Sequence, residues 1–283
     1  MRRCENSNAL AYLRLLRPAN CAIAFASVLV GASLAGKGAD AVSGLVAGLS
    51  AACVAGGGNA LNDACDEAAD RINRPDRPIP SGQISARAAV SLAAVLFTLG
   101  VGASVGLGAK AVCVALAAVG GLVAYDLALK RVPVAGNVAV SGISGMALLY
   151  GGVAVNRVEA TLVPAGFAFL FHLGREIVKD IEDVQGDAAV GAESVAVAWG
   201  IRPALITATA VYLTLIALTP IPFWQDCYTW RYLLLALCPV DAILLYALLS
   251  MWRDRSRQNL LRLDGLLKLN MVFGLLALWA GRS

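Results

Sequence analysis

Nine stretches of this chain stay apolar for longer than a soluble core requires, near residues 18–36, 42–61, 86–107, 111–126, 134–155, 160–178, 203–222, 231–251 and 263–281. About 17 to 25 apolar residues let a helix cross a bilayer. Hydrocarbon offers no partner to an unpaired backbone group, so runs of this length demand helices. Charged residues make up only 15% of the 283, against about 25% in soluble domains. The chain reads as an all-α, polytopic membrane protein, a bundle of nine transmembrane helices in one domain over 1–283. The fourth run is short and the ninth follows a basic amphipathic stretch, so eight spans is the other reading. The first run begins only at residue 18 and is long for a cleaved signal, so it is read as retained.

The basic residues set an orientation. Eighteen of the 23 Lys and Arg fall on the N-terminus and every second loop, while Lys37, Lys110, Arg157, Arg231 and Arg282 fall on the other side. By the positive-inside rule the N-terminus faces the cytoplasm of a cell-membrane protein. Seven scattered Cys without a Cys-x-x-Cys pair read as small buried apolar side chains, and the single His172 as a packed residue. No nucleic-acid partner is expected.

Against this apolar background the acidic residues are concentrated. Five of 19 lie between Asp63 and Asp76 and five between Glu176 and Asp187, each group directly after an apolar run. Both fall on the cytoplasmic side, in Asp-rich loops of about 62–84 and 179–200. Each follows the second helix of a four-span set, so the layout is two four-helix blocks plus one, with the clusters facing one cavity. Asn62, Asp66 and Asp70 step by four along one helix face, with Asp63 alongside; Glu176, Asp180, Asp183 and Asp187 form a second stripe. Like charges so placed repel unless cations sit between them. Hard oxygen donors without His or Cys partners point to Mg²⁺.

Cations surround the carboxylates: Arg71, Arg74, Arg77, Lys130, Arg131, Arg175 and Lys179. Arg71 and Arg77 are the clearest candidates to clamp a diphosphate. The segment from Asn73 to Gly82 carries three prolines and reads as a stiff cover holding Arg77 over such a group.

These residues resemble the UbiA superfamily of intramembrane prenyltransferases. Its Asn-x-x-x-Asp-x-x-x-Asp motif matches Asn62, Asp66 and Asp70, and its Asp-x-x-x-Asp motif matches Asp183 and Asp187. The run Asp70-Arg71-Ile-Asn73-Arg74-Pro with Arg77-Pro-Ile-Pro80-Ser81-Gly82, and Leu16-Arg17-Pro18-x-Asn20, are similar too. One departure is that Tyr125 and Lys130 are separated by four residues where the family often has three.

The resemblance implies a nine-helix bundle around a cavity, with Mg²⁺ on Asn62, Asp63, Asp66, Asp70, Asp183 and Asp187 bridging to an isoprenoid diphosphate. Asp66, Asp70, Asp180, Asp183 and Asp187 would be catalytic, and Arg71, Arg77, Tyr125, Lys130 and Lys179 would bind diphosphate. The segment from Gly174 to Asp187 looks most like the branch that makes archaeal ether lipids. That implies geranylgeranyl transfer from its diphosphate to the free hydroxyl of geranylgeranylglyceryl phosphate, a lipid-like acceptor held by Arg17, Asn20 or Arg175. Asp180 is a candidate to take the hydroxyl proton. Aromatic acceptors are the alternative substrate. A cation transporter is the alternative from another class, disfavoured because its site would lie near the midplane. Asp241, beside Pro239 within a span, has no assigned role.

Overall fold

The computed structural model describes residues 2–36 and 40–282, without the side chains of residues 2–8. Lys37 lies outside the described residues, as do the side chains of Arg2, Arg3 and Cys4. Fourteen helices follow in order among the described residues: α1 Arg2–Leu16, α2 Pro18–Ser33, α3 Ala41–Cys65, α4 Glu67–Asn73, α5 Ala86–Ser104, α6 Ala109–Leu127, α7 Ala135–Ala154, α8 Leu162–Ala189, α9 Val195–Trp199, α10 Ile201–Leu218, α11 Ile221–Trp224, α12 Trp230–Leu235, α13 Ala242–Arg253 and α14 Arg257–Gly281. Side-chain caps start several of them. Asp40 accepts from Val42 N (3.0 Å) at α3, Ser85 from Ala88 N (3.2 Å) at α5, and Ser256 from Asn259 N (3.3 Å) at α14.

Among the described residues eight helical segments are long and apolar enough to cross a membrane, and a ninth span arises if Ala9–Leu16 and Pro18–Ser33 count as one pair bent by 46°. The bend sits at Arg17, which adopts a left-handed backbone (φ 51°) immediately before Pro18. A non-glycine residue held there is strained, and such strain gathers at functional sites. The span from Trp230 to Arg253 is interrupted by a π-helical stretch, Ala236–Asp241, around Pro239, which removes one helix hydrogen bond.

Successive spans pack on one another from α2 through α3, α5, α6, α7, α8, α10 and α13 to α14, which returns to α2 and closes a ring. The first four spans and the next four therefore sit side by side, joined where α2 meets α7 and α6 meets α7. All five Trp lie near helix ends and are exposed: Trp224, Trp230 and Trp279 at one end of the bundle, Trp199 and Trp252 at the other. That is the placement of aromatic belts at the two borders of a bilayer. Among the described side chains, Cys65, Cys113, Cys227 and Cys238 are exposed, and Cys21 and Cys53 are partly covered. Burial was therefore the wrong expectation for most of the described cysteines. Lipid, like a core, accepts a thiol.

Helix α8 changes the reading of the second acidic region. With 28 residues it is about 42 Å long, well beyond the ~30 Å of hydrocarbon. The stretch expected as a loop from 179 is thus helical up to Ala189, and the carboxylates ride on rigid backbone. The first region is half helix, on the end of α3 and on α4, followed by the proline-rich segment. Ile79 and Ile84 anchor that segment by burial against Leu15, Ala60 and Ala89, worth about 1.5–3 kcal/mol for each side chain.

Helices α2 and α7 touch backbone to backbone, because Gly31 lies against the Leu148 carbonyl and Gly151 against Val28 and Ala32. A methyl group at Gly151 would overlap main-chain atoms, whereas one at Gly102 would meet open space. Gly151→Ala is expected to lower stability by about 1–3 kcal/mol, read as a drop in thermal unfolding temperature in detergent, while Gly102→Ala leaves it unchanged.

Candidate active site

The two acidic stripes meet. Helix α4 packs against the end of α8, and the hydrogen bonds and ion pairs across the contact come from two consecutive residues at its end, Asn73 and Arg74. The Asn73 amide donates to the Asp183 carbonyl (3.1 Å) and accepts from Gly186 N (3.2 Å). Any side chain at 186 would strike that amide, so the glycine is what lets the helices close. The Asn73 carbonyl accepts from Arg257 at the start of α14. Arg74 then spans the gap, reaching Glu182 at 2.6 Å, Asp183 at 2.9 Å and Asp70 at 3.8 Å.

Between the stripes lies a small chamber of about 40 Å³, lined by Asn62, Asp66, Asp70, Asn73, Arg74, Arg77, Tyr125, Lys130, Asn137, Glu176, Lys179, Asp180, Asp183, Asp187 and Ser194. Asp66 pairs with Lys130, and Asp70 with Arg77. Asp180 is fixed by donors from Asn137 (3.0 Å) and Val195 N (3.2 Å). Asn62 donates to Asp126 at 2.8 Å. Burial pushes the Asp70 carboxyl up, and burial, reinforced by nearby Lys179, brings the Lys130 ammonium down to about 8. Six carboxylates face four cations here, a formal excess of two negative charges.

The chamber adjoins a much larger cavity of about 430 Å³, and the two share Asn62, Arg74, Arg77, Tyr125, Glu176 and Lys179. At its polar end the large cavity reverses the charge balance. Arg17, Arg74, Arg77, Arg175, Lys179 and Lys268 outnumber Asp126, Glu176, Glu182 and Asp264. Farther in, its walls are Val54, Val114, Leu122, Val140, Ile143 and Met146. An apolar side cavity of about 100 Å³ continues past Ile23, His172 and Met271.

Most residues expected from sequence therefore converge. Asn62, Asp66, Asp70, Asp180, Asp183, Asp187, Tyr125, Lys130, Lys179 and Arg77 line the chamber, and Arg17, Asn20 and Arg175 line the large cavity. Two do not. Asp63 is buried beneath the site, where it pairs with Arg17 and, at 3.2 Å, with Arg77, so it anchors cations and lines neither cavity. Arg71 points outward, exposed and paired with Glu67 at 2.7 Å. Arg74, three residues on, takes the central place; its position four residues after Asp70 was the available signal. Asn137, within an apolar helix, and Asp264, among the basic residues of the first half of α14, carried no comparable signal.

The chamber's donor set fits a hard divalent ion. Its carboxylates are in formal excess and its oxygens come from both stripes. Among the described residues no three acidic, His or Cys side chains converge on one point, because Arg74, Arg77 and Lys130 hold several carboxylates.

A multi-pass helical ring enclosing paired aspartate stripes defines an intramembrane prenyl-transfer enzyme, and a profile of the UbiA prenyltransferase family matches residues 24–272. The chain belongs to that family. It is 41% identical to the digeranylgeranylglyceryl phosphate synthase of Methanopyrus kandleri, over 95% of this chain and 98% of that protein. A solved structure of a digeranylgeranylglyceryl phosphate synthase, 30% identical, matches with a TM-score of 0.74 over 97% of this chain and 98% of its own. A UbiA homolog from Archaeoglobus fulgidus bound to GPP and Mg²⁺ has the same fold, at 19% identity and a TM-score of 0.70, over 95% and 99% of the two chains.

Arg74→Met is expected to reduce prenyl transfer at least a hundredfold and to destabilise the protein by about 3–5 kcal/mol, since Glu182 and Asp183 lose their partner. Arg71→Ala should stay within twofold on turnover and within about 0.5 kcal/mol on stability, both read on protein purified in detergent.

Proposed function

We propose that this protein transfers a geranylgeranyl group from geranylgeranyl diphosphate to the free hydroxyl of geranylgeranylglyceryl phosphate, a step of archaeal ether-lipid synthesis. One observation supports it above others: a carboxylate chamber opens through shared arginines and lysines into an apolar cavity between the helices. Two of the proteins it resembles are named digeranylgeranylglyceryl phosphate synthases, and the acidic stripes fall where the positive-inside rule puts the cytoplasm.

The residues divide the work. Asn62, Asp66, Asp70, Asp183 and Asp187 would hold Mg²⁺, which when bound neutralises diphosphate charge and assists its departure. Arg74, Arg77, Lys130 and Lys179 bind the diphosphate oxygens and stabilise the charge that grows on them as the C1–O bond breaks. The leaving diphosphate takes the bonding electron pair, and C1 becomes electron-poor. The apolar walls hold the prenyl tail and keep water away from C1. The acceptor's hydroxyl oxygen then bonds to C1, forming the ether, and its proton passes to Asp180. Two donors fix that carboxylate, the geometry a general base requires.

The test is a product assay with purified protein, Mg²⁺ and geranylgeranyl diphosphate, offering geranylgeranylglyceryl phosphate and 4-hydroxybenzoate in parallel. The expected product is the doubly prenylated glyceryl phosphate, absent with Asp66→Ala and with Asp183→Ala. Asp180→Asn is expected to bind diphosphate normally and to lose turnover. Prenylation of the aromatic acid alone would overturn the acceptor.

A further inference from the structure

Beyond the diphosphate chamber, a second charged cluster faces the large cavity, and of its members only Lys179 takes part in the chemistry described above. It is built by α8 and α14, and the residues that meet, Arg175 and Asp264, are 89 apart in sequence. Arg175 donates to Asp264 at 2.5 Å and to Glu176 at 3.0 Å, while Lys268 meets Asp264 at 2.7 Å. Lys179 approaches Glu176 at 3.6 Å. All five side chains line the large cavity, but only Glu176 and Lys179 also line the chamber. Arg175, Asp264 and Lys268 thus form an outer station, with Lys179 at the boundary between the two.

We infer that Arg175 and Lys268 form a phosphate-monoester subsite that holds the acceptor's glyceryl phosphate, with Asp264 as the residue that positions both cations. The inference rests on the acceptor proposed above and adds the residues that select it.

Three observations lead there. Arg175 and Lys268 share Asp264 and lie outside the carboxylate-rich chamber, so the pair is free of the diphosphate's own clamp. Donors remain open: Arg175 Nε is buried without a hydrogen bond, and Lys268, with three N–H groups, has one carboxylate partner and a side chain 38% exposed. A phosphate monoester offers three acceptor oxygens and close to two negative charges, matching a guanidinium beside an ammonium. The shared Asp264 holds the pair together against their mutual repulsion before the ligand arrives. Spacing adds to this. Arg175 lies one helical turn before Lys179 on α8, so a headgroup on Arg175 and a diphosphate on Lys179 would be neighbours along one wall. That arrangement would bring the glycerol hydroxyl, a few bonds from its phosphate, toward the departing diphosphate.

Lys268→Met is the direct test, since a half-exposed lysine is removable without leaving a cavity; Lys268→Arg keeps the charge. Both are compared with wild type for geranylgeranylglyceryl phosphate and for dephosphorylated geranylgeranylglycerol, with saturating geranylgeranyl diphosphate and Mg²⁺. The expected result is a KM for the phosphorylated acceptor raised about ten- to a hundredfold in Lys268→Met and largely restored in Lys268→Arg. The KM for the diphosphate and the rate with geranylgeranylglycerol stay unchanged. A KM shift for the diphosphate, or equal loss with both acceptors, would overturn the subsite. Direct binding of geranylgeranylglyceryl phosphate without donor separates the two proposals. Binding by wild type that weakens tenfold in Lys268→Met, without turnover, keeps the subsite and removes the reaction. Turnover with KM and binding unaltered by Lys268→Met keeps the reaction and removes the subsite.

Discussion

Everything at the functional end of this bundle depends on one guanidinium between two rows of carboxylates. Arg74 leaves the first acidic region and contacts Glu182 and Asp183 on α8 as well as Asp70 on its own side. Two like charges 4 Å apart repel by about 4 kcal/mol at the dielectric of a protein border, so unbridged stripes would push α4 away from α8. Asn73 adds the neutral part of the clasp, and it fits only because residue 186 is glycine.

From that clasp follows a division of electrostatic sign within a few residues. The chamber is acidic and suits a divalent cation; the adjoining cavity mouth is basic and suits phosphate. The six residues common to both are the seam along which a metal-bound diphosphate would lie. Below the seam the walls turn apolar. A substrate with a charged head and a prenyl tail finds the same order of environments, and a reaction that must exclude water takes place where the hydrocarbon begins.

Much of this was legible in the chain because membranes restrict backbone choices so severely. Runs of apolar residues could only be helices, and the observed spans at 86–107 and 135–154 differ by at most a residue from expectation. The stripe spacing of Asn62, Asp66 and Asp70, and of Asp180, Asp183 and Asp187, was equally readable, since helical geometry converts sequence interval into a face. What sequence could not give was partnership across elements. Arg71 and Arg74 look alike in a charged loop, and only the turn at the end of α4 sends one to solvent and the other into the gap. Asp63 sits next to a motif residue, yet one step along a helix is 100° around it, which put this carboxylate beneath the site. Asp264 and Lys268 acquire meaning only through α14's return to α8. The helical continuation of α8 to Ala189 was hidden by its polarity, which reads as loop when apolar content is the guide.

The central claim is that both stripes act as one diphosphate site. A double-mutant cycle measures it most directly: titration calorimetry of a non-hydrolysable geranylgeranyl thiolodiphosphate, with Mg²⁺, into wild type, Asp66→Asn, Asp183→Asn and the double variant. A shared site predicts strong coupling, with the second substitution weakening binding far less after the first than alone, an interaction of about 1–3 kcal/mol. Additive losses within about 0.5 kcal/mol would mean that the stripes bind independently, and would contradict the account.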